Sequence, residues 1–133
     1  MNKFWIITSC VGSLVVPALA HHSFAAEYDA TKPVTMMGTV TKVEWVNPHC
    51  HIFVDVKNDS GQVTNWTIEL ANPNELLHDG LTRNTLKPGD VVTMKALLAK
   101  DGSNLADART LDLPDGRKIS FEGGGQYSVR PKK

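Results

Sequence analysis

Histidine is the residue type in this chain whose spacing best suits chemistry. Four of the five histidines form two close pairs, His21-His22 and His49-x-His51. Imidazole nitrogens bind borderline metals such as Cu(II), Ni(II) and Zn(II). Residues two apart on a strand face the same side, so His49 and His51 would project together. These four side chains are therefore the candidate metal ligands.

The first histidine pair gains a further ligand if an export signal is removed just before it. Residues 1–20 have the pattern of a secretory signal peptide, with a basic start at Lys3, an apolar run and the small-x-small ending Ala18-Leu19-Ala20. Cleavage after Ala20 would give His21 a free α-amine one chelate ring from its imidazole. A site of amine and imidazole nitrogens favours Cu(II) first and Zn(II) second.

The apolar run of the signal also bears on membrane attachment. Ile7-Thr8-Ser9-Cys10 is a loose lipobox, but the apolar stretch before Cys10 is short and continues past it. The run is shorter than the roughly 20 apolar residues that a membrane-spanning helix needs. We expect an exported protein with no stable membrane anchor.

Charge and cysteine content restrict the partners. The chain has 14 basic and 14 acidic residues, so removal of Lys3 with the signal leaves 13 − 14 = −1. This balance argues against nucleic acid, whose binding proteins usually carry a basic patch. Cys50 would be the one cysteine left. We expect it to be a small buried hydrophobe, with intermolecular pairing or metal ligation as alternatives.

Strand patterns dominate the mature chain, and one short helix interrupts them. Alternation and turn signals predict strands over 34–46 with a bend at Gly38, and over 51–57, 63–70, 91–99, 106–113 and 118–121. A helix through Glu75 to His78, capped by Asn72 or Asn74, is predicted between the third and fourth strands. The pattern favours an all-β fold, a small OB-like barrel of five to six strands, with an open α+β sheet as the alternative. The predicted organisation is a signal peptide at 1–20, an N-terminal arm at 21–33, the barrel at 34–122 and a flexible tail at 123–133.

Aromatic residues offer a second kind of candidate site. Trp45, Phe53 and Trp66 are candidate ligand-binding residues, although aromatics in so small a domain usually fill the core. Glu44 and Glu69 are predicted to be exposed strand carboxylates. The chain has no nucleophile elbow, phosphate loop or other catalytic motif, so we do not predict an enzyme.

Several motifs together resemble an uncharacterised family of small exported bacterial proteins, over a stretch from the signal junction to about residue 118. They are Ala20-His21-His22-Ser23-Phe24-Ala25, Glu27-Tyr28-Asp29, Gly38-Thr39-Val40, Glu44-Trp45-Val46-Asn47-Pro48-His49, Trp66-x-Ile68-Glu69, Leu86-Lys87-Pro88-Gly89-Asp90 and Lys100-Asp101-Gly102-Ser103. The resemblance implies a periplasmic location in a Gram-negative bacterium. It also implies that His21, His22 and His49, rather than Cys50 and His51, would carry any shared chemistry.

Two hypotheses of different classes follow. The first is a periplasmic metal-binding protein that uses the terminal histidines and His49. The second is a metal-free binding module for an envelope protein partner, a saccharide or a small ligand. An oxidative copper enzyme with the terminal histidine as a brace is a weaker third, because so small a chain offers little surface for a substrate.

Overall fold

The computed structural model describes residues 24–122 and 126–130, so the expected signal peptide lies outside the described residues. Two short helices and seven strands are present in this part of the chain. Their bounds are α1 Phe24–Glu27, β1 Tyr28–Glu44, β2 His51–Lys57, β3 Val63–Glu69, α2 Pro73–His78, β4 Val91–Ala99, β5 Leu105–Asp112, β6 Lys118–Glu122 and β7 Gln126–Arg130. None of the helices in the described ranges is long and apolar enough to cross a membrane.

The strands form a sheet that closes on itself. Their order is β3-β2-β1-β4-β5-β6-β7 with antiparallel neighbours, and β3 pairs in addition with β5 in a parallel sense. The ring therefore contains β1, β2, β3, β5 and β4, while β6 and β7 continue from β5 beside it. Helix α2 lies between β3 and β4 in the chain. The predicted all-β, OB-like barrel with its helix between the third and fourth strands is confirmed.

Strand β1 belongs to both halves of the ring. It pairs with β4 as far as Thr39 and with β2 from Gly38 onward. A Cβ atom at Gly38 would lie 2.9 Å from the main-chain oxygen of Asp55, so glycine permits this close approach. The irregularity in the β1–β2 register falls slightly later, between Val40 and Lys42.

The core is filled by the alternating inward residues of the ring and by Leu76 of α2. Cys50 belongs to this core and is fully buried. Its main-chain amide donates to the Ala71 oxygen, and its own oxygen accepts from the Leu70 amide. Burial raises the pKa of the Cys50 thiol. Because a metal binds the thiolate, this environment disfavours Cys50 as a ligand.

Helix α2 forms where the sequence places it. The Asn72 side chain accepts a hydrogen bond of 3.0 Å from the Glu75 amide, and Pro73 occupies the first turn. An asparagine cap followed by proline is a common start for a helix, because it satisfies a free amide and fixes the backbone angle.

The two ends of the domain differ from the prediction. Residues 24–33, expected to be an arm, contain α1 and the start of β1, and Tyr28 is only 2% exposed. The side chains of residues 30–33 are all exposed, so the sequence shows no alternation here, yet the main chain pairs with β4 at Tyr28 and Pro33. Residues 126–130, expected to belong to a flexible tail, form β7 against β6. The prediction ended the domain at the three glycines before this strand, because the alternation that follows them is short.

Candidate functional site

Glu69, the last residue of β3, is the centre of a polar group at one end of the barrel. Its side chain is 14% exposed, and its Oε1 lies 2.5 Å from His49 Nδ1. Its Oε2 accepts a hydrogen bond of 2.5 Å from the Tyr28 hydroxyl and lies 4.0 Å from His51 Nε2. We call the whole group the rim cluster: Tyr28, His49, His51, Glu69, Asp107 and Arg109.

Barrel closure brings these residues together from distant parts of the sequence. Glu69 is the register partner of His51 on β2 and of Asp107 on β5. Side chains at paired positions of neighbouring strands lie on the same face of a sheet. Tyr28 reaches the same end from the start of β1, where it pairs with Ala99 of β4.

His49 lies in the connection between β1 and β2, with its side chain half exposed. Its Nδ1 is paired with the Glu69 carboxylate, which can only accept a hydrogen bond. In a neutral ring that donates from Nδ1, the lone pair belongs to Nε2. Metal-ligating histidines usually have this arrangement, in which a carboxylate holds the nitrogen that does not bind the metal.

Asp107 lies among acidic and basic groups of the rim cluster. Asp107 Oδ2 lies 3.3 Å from Arg109 Nε, and the Asp107 side chain is 16% exposed. Burial raises the pKa of Asp107 to about 7, the Arg109 charge opposes this rise, and Glu69 and Glu27 add to it. The Asp107 carboxyl is therefore influenced by acidic groups, Glu69 and Glu27, and by basic groups, Arg109 and His49.

Tyr28 stays a hydrogen-bond donor in this environment. Burial, followed by the hydrogen bond to Glu69, raises the pKa of its phenol well above the usual range. Its hydroxyl therefore stays protonated at any physiological pH and donates a hydrogen bond to the Glu69 carboxylate.

Residues 24–28, which we call the docking segment, are held against the rim cluster by several contacts. The Phe24 ring lies 5.2 Å from the Tyr28 ring, and the Arg109 guanidinium lies 4.2 Å over the Phe24 ring. The Lys100 amide donates to the Glu27 oxygen at 2.9 Å, and Lys100 Nζ donates to the Ala25 oxygen. The chain that follows His21 and His22 therefore enters the barrel beside Glu69.

The structure brings together two of the four predicted metal ligands. His49 and His51 both face Glu69, whereas His21 and His22 lie outside the described residues. Glu69 is largely covered rather than exposed as the sequence suggests, because β5 pairs along its other side. Sequence reasoning missed the roles of Tyr28, Asp107 and Arg109. Tyr28 lies in the motif Glu27-Tyr28-Asp29, whereas none of the motifs includes Asp107 or Arg109.

The three predicted ligand-binding aromatics do not share a face. Trp45 and Trp66 pack against the core, and Trp66 is the register partner of the buried Val54. Phe53, the neighbour of Val54 in β2, points to the outer face, where Lys42 Nζ lies 5.2 Å from its ring centre. A groove lined by all three side chains is therefore absent from this part of the structure.

The rim cluster does not by itself enclose a metal ion. Among the described residues, no three histidine, cysteine, aspartate or glutamate side chains are arranged to hold one. Glu69 uses its oxygens on Tyr28 and His49 instead of facing an open ligand position. Any metal bound at His49 would need further ligands from outside the described part of the chain.

Fold and site together define a small closed β-barrel with a histidine–carboxylate group at one end. The chain belongs to the family of unknown function DUF6152, whose model matches residues 10–107. The resemblance to an uncharacterised family is thereby confirmed. Comparisons with curated proteins and with solved structures found no significant match.

Proposed function

We propose that this protein binds Cu(II), and Zn(II) less tightly, at the rim cluster. His49 Nε2 is the ligand from the barrel in this proposal, and the α-amine and imidazoles of His21 and His22 are the ligands from the processed amino terminus. The setting is the periplasm, after cleavage behind Ala20. The observation that carries the proposal is the contact of 2.5 Å between His49 Nδ1 and Glu69 Oε1.

The contact with Glu69 prepares His49 for a metal in two ways. It fixes the ring orientation, so less side-chain entropy is lost when Nε2 binds. It also makes the ring a stronger electron donor, because a carboxylate accepts the hydrogen of Nδ1. His51 faces the same carboxylate at the longer distance of 4.0 Å, so we assign it the smaller contribution.

The charge around His49 supports a cation as the ligand. Glu69, which is paired with His49, and Glu27 are acidic groups of this region. A divalent ion bound at Nε2 would interact favourably with these carboxylates, since Coulomb energies are larger near partly buried groups than in bulk water.

The terminal histidines lie only two and three residues before the docking segment in the sequence. Phe24 is held by Tyr28 and Arg109 beside Glu69, and His21 precedes Phe24 by three residues. An extended chain covers at most about 3.5 Å per residue, so three residues span roughly 10 Å. In this proposal, the short connection allows the α-amine of His21 to share a metal with His49.

Titration of the mature protein with Cu(II) and with Zn(II) tests the proposal. The amino terminus at His21 is first verified by mass, and affinities are measured by competition with a chelator of known strength. We expect one Cu(II) per chain. His49→Ala should weaken Cu(II) binding by at least about 100-fold, because loss of a ligand costs more than the 10- to 100-fold usual for loss of a ligand's outer partner. His78→Ala is the matched control, because His78 lies on α2 with its side chain 91% exposed.

An extended variant separates the terminal ligands from the barrel. Four residues, Gly-Ala-Pro-Ala, placed before His21 keep every histidine but remove the α-amine from the chelate. We expect this extension to weaken Cu(II) binding as well. Equal affinities of the native protein and His49→Ala would overturn the proposal and favour the metal-free binding module.

A further inference from the structure

We propose that Tyr28 is a positioning residue that transmits docking of residues 24–28 through Glu69 to His49. The Tyr28 hydroxyl holds one carboxylate oxygen, the other oxygen holds His49 Nδ1, and His49 Nε2 is thereby kept outward as the free nitrogen. The use of Nε2 for metal rests on the proposed function. The relay itself is a property of the metal-free protein.

Burial makes Tyr28 a firm anchor for this relay. Its ring packs with Leu97 and Ala99 of β4 in a small second core and is 2% exposed. A side chain packed in this way has little freedom, so its hydroxyl has a fixed position relative to β4. The carboxylate that accepts from it is held in turn.

Glu69 has an alternative partner that the Tyr28 hydroxyl keeps it from. Its Oε2 lies 4.0 Å from His51 Nε2, too far for a hydrogen bond. Without the Tyr28 hydroxyl, the carboxylate is free to turn towards His51 and to leave His49 Nδ1. The hydrogen on the neutral His49 ring is then no longer held at Nδ1.

The anchor is connected to the docking segment. Tyr28 follows α1 directly, Phe24 of that helix packs on its ring, and Lys100 binds the main chain at Ala25 and Glu27. Displacement of this segment would carry the Tyr28 hydroxyl away from Glu69. Because coupling between two sites is reciprocal, a metal that favours the fixed His49 ring also favours the docked segment.

Nitrogen-15 NMR of the histidine rings in the metal-free protein tests the relay. At about pH 8 an ordinary imidazole is neutral, and its two ring nitrogens have different shifts according to which one carries the hydrogen. In the native protein we expect His49 to hold its hydrogen at Nδ1. In Tyr28→Phe, which keeps the ring but removes the hydroxyl, we expect a mixture of both forms at His49 and unchanged signals at His78.

Phe24→Ala tests the connection to the docking segment without changing a buried residue, since Phe24 is 38% exposed. We expect the His49 signals to move in the same direction as in Tyr28→Phe, by a smaller amount. Unchanged His49 signals in Phe24→Ala would contradict the coupling to the docking segment. This test stands even if Tyr28→Phe does not fold.

The metal measurement gives a separate result. Tyr28→Phe should weaken Cu(II) binding by about tenfold, the lower end of the effect of an outer partner of a ligand. An unchanged His49 ring in Tyr28→Phe would overturn the relay even if the native protein binds Cu(II) tightly. A native protein that binds no Cu(II) but shows the NMR change would overturn the proposed function and leave the relay standing.

Discussion

Two of the three histidine–carboxylate contacts in the described residues, those of His49 and His78, have very different surroundings. At the rim, His49 Nδ1 lies 2.5 Å from Glu69. At the end of α2, His78 Nδ1 lies 3.7 Å from Asp79 Oδ1, and the Asp79 side chain is 5% exposed. Asp79 Oδ2 is buried and has no hydrogen-bond partner among the described residues.

The difference shows that a buried carboxylate does not by itself orient an imidazole. Asp79 is more deeply buried than Glu69, yet His78 remains 91% exposed and lies 3.7 Å from it. Glu69 has what Asp79 lacks, a buried donor that fixes its second oxygen. In the proposed relay, the Tyr28 hydroxyl is what distinguishes His49 from His78.

The largest expected effect concerns Cu(II) affinity. Glu69→Gln should weaken binding by about 10- to 100-fold, because an amide is a weaker acceptor for the hydrogen of His49 Nδ1. Asp79→Asn, the matched change at the other contact, should leave Cu(II) affinity unchanged. Both are measured by chelator competition, and equal losses in the two variants would remove the distinction between the contacts.

The second prediction concerns the pH dependence of stability at the rim. The pKa of Asp107 is raised to about 7 from an ordinary 3.8, so the folded protein binds a proton that the unfolded chain releases between these values. The contribution of Asp107 to stability should therefore fall as pH rises from 4 to 7. Asp107→Asn should raise the free energy of unfolding by about 2 kcal/mol at pH 7 and leave it nearly unchanged at pH 4.

Urea unfolding at each pH measures this effect. Asp112→Asn is the matched control, because Asp112 lies on the same strand with its side chain 42% exposed. A pH slope that persists in Asp107→Asn would assign the dependence to another group of the rim cluster.

The third prediction is that replacing each of the two carboxylates by its amide changes the free energy of unfolding in opposite directions. Asp79→Asn should raise the free energy of unfolding by about 1 kcal/mol, because it removes a buried charge with an unpartnered oxygen at the end of a helix. Glu69→Gln should lower it by about 1 kcal/mol through weaker hydrogen bonds to Tyr28 and His49. Thermal or urea unfolding at pH 7 measures both, and a change of the same sign in both would contradict the comparison.

The smallest expected effect tests the docking segment. Phe24→Ala should lower the free energy of unfolding by about 1 kcal/mol, because the ring contacts of Phe24 with Tyr28 and Arg109 are lost. Leu77→Ala, at an exposed apolar position of α2, should change it by less than about 0.5 kcal/mol. Urea unfolding of both variants checks the difference, which would vanish if Phe24 were an ordinary surface residue.

Much of the barrel can be predicted from local sequence patterns. The bounds predicted for β2 and β4 match the structure, because each strand alternates and ends at a clear turn. The rim cluster is readable only in part. His49 and His51 stand out by type and spacing, whereas the position of Glu69 between His51 and Asp107 depends on which strands meet when the ring closes. The start of β1 escapes such patterns because Tyr28 is an isolated buried residue before a run of exposed ones.

The parallel pairing of β3 with β5 joins residues 67–69 to residues 105–107 and is what closes the ring. A folding chain in which every hairpin has formed but this seam is open has most of its hydrogen bonds, yet Glu69 and Asp107 are not neighbours. Closing a long loop costs entropy that only the completed ring returns. A brief opening of this short seam would separate Glu69 from Asp107, while the pairing of β2 with β3 would keep Glu69 beside His51.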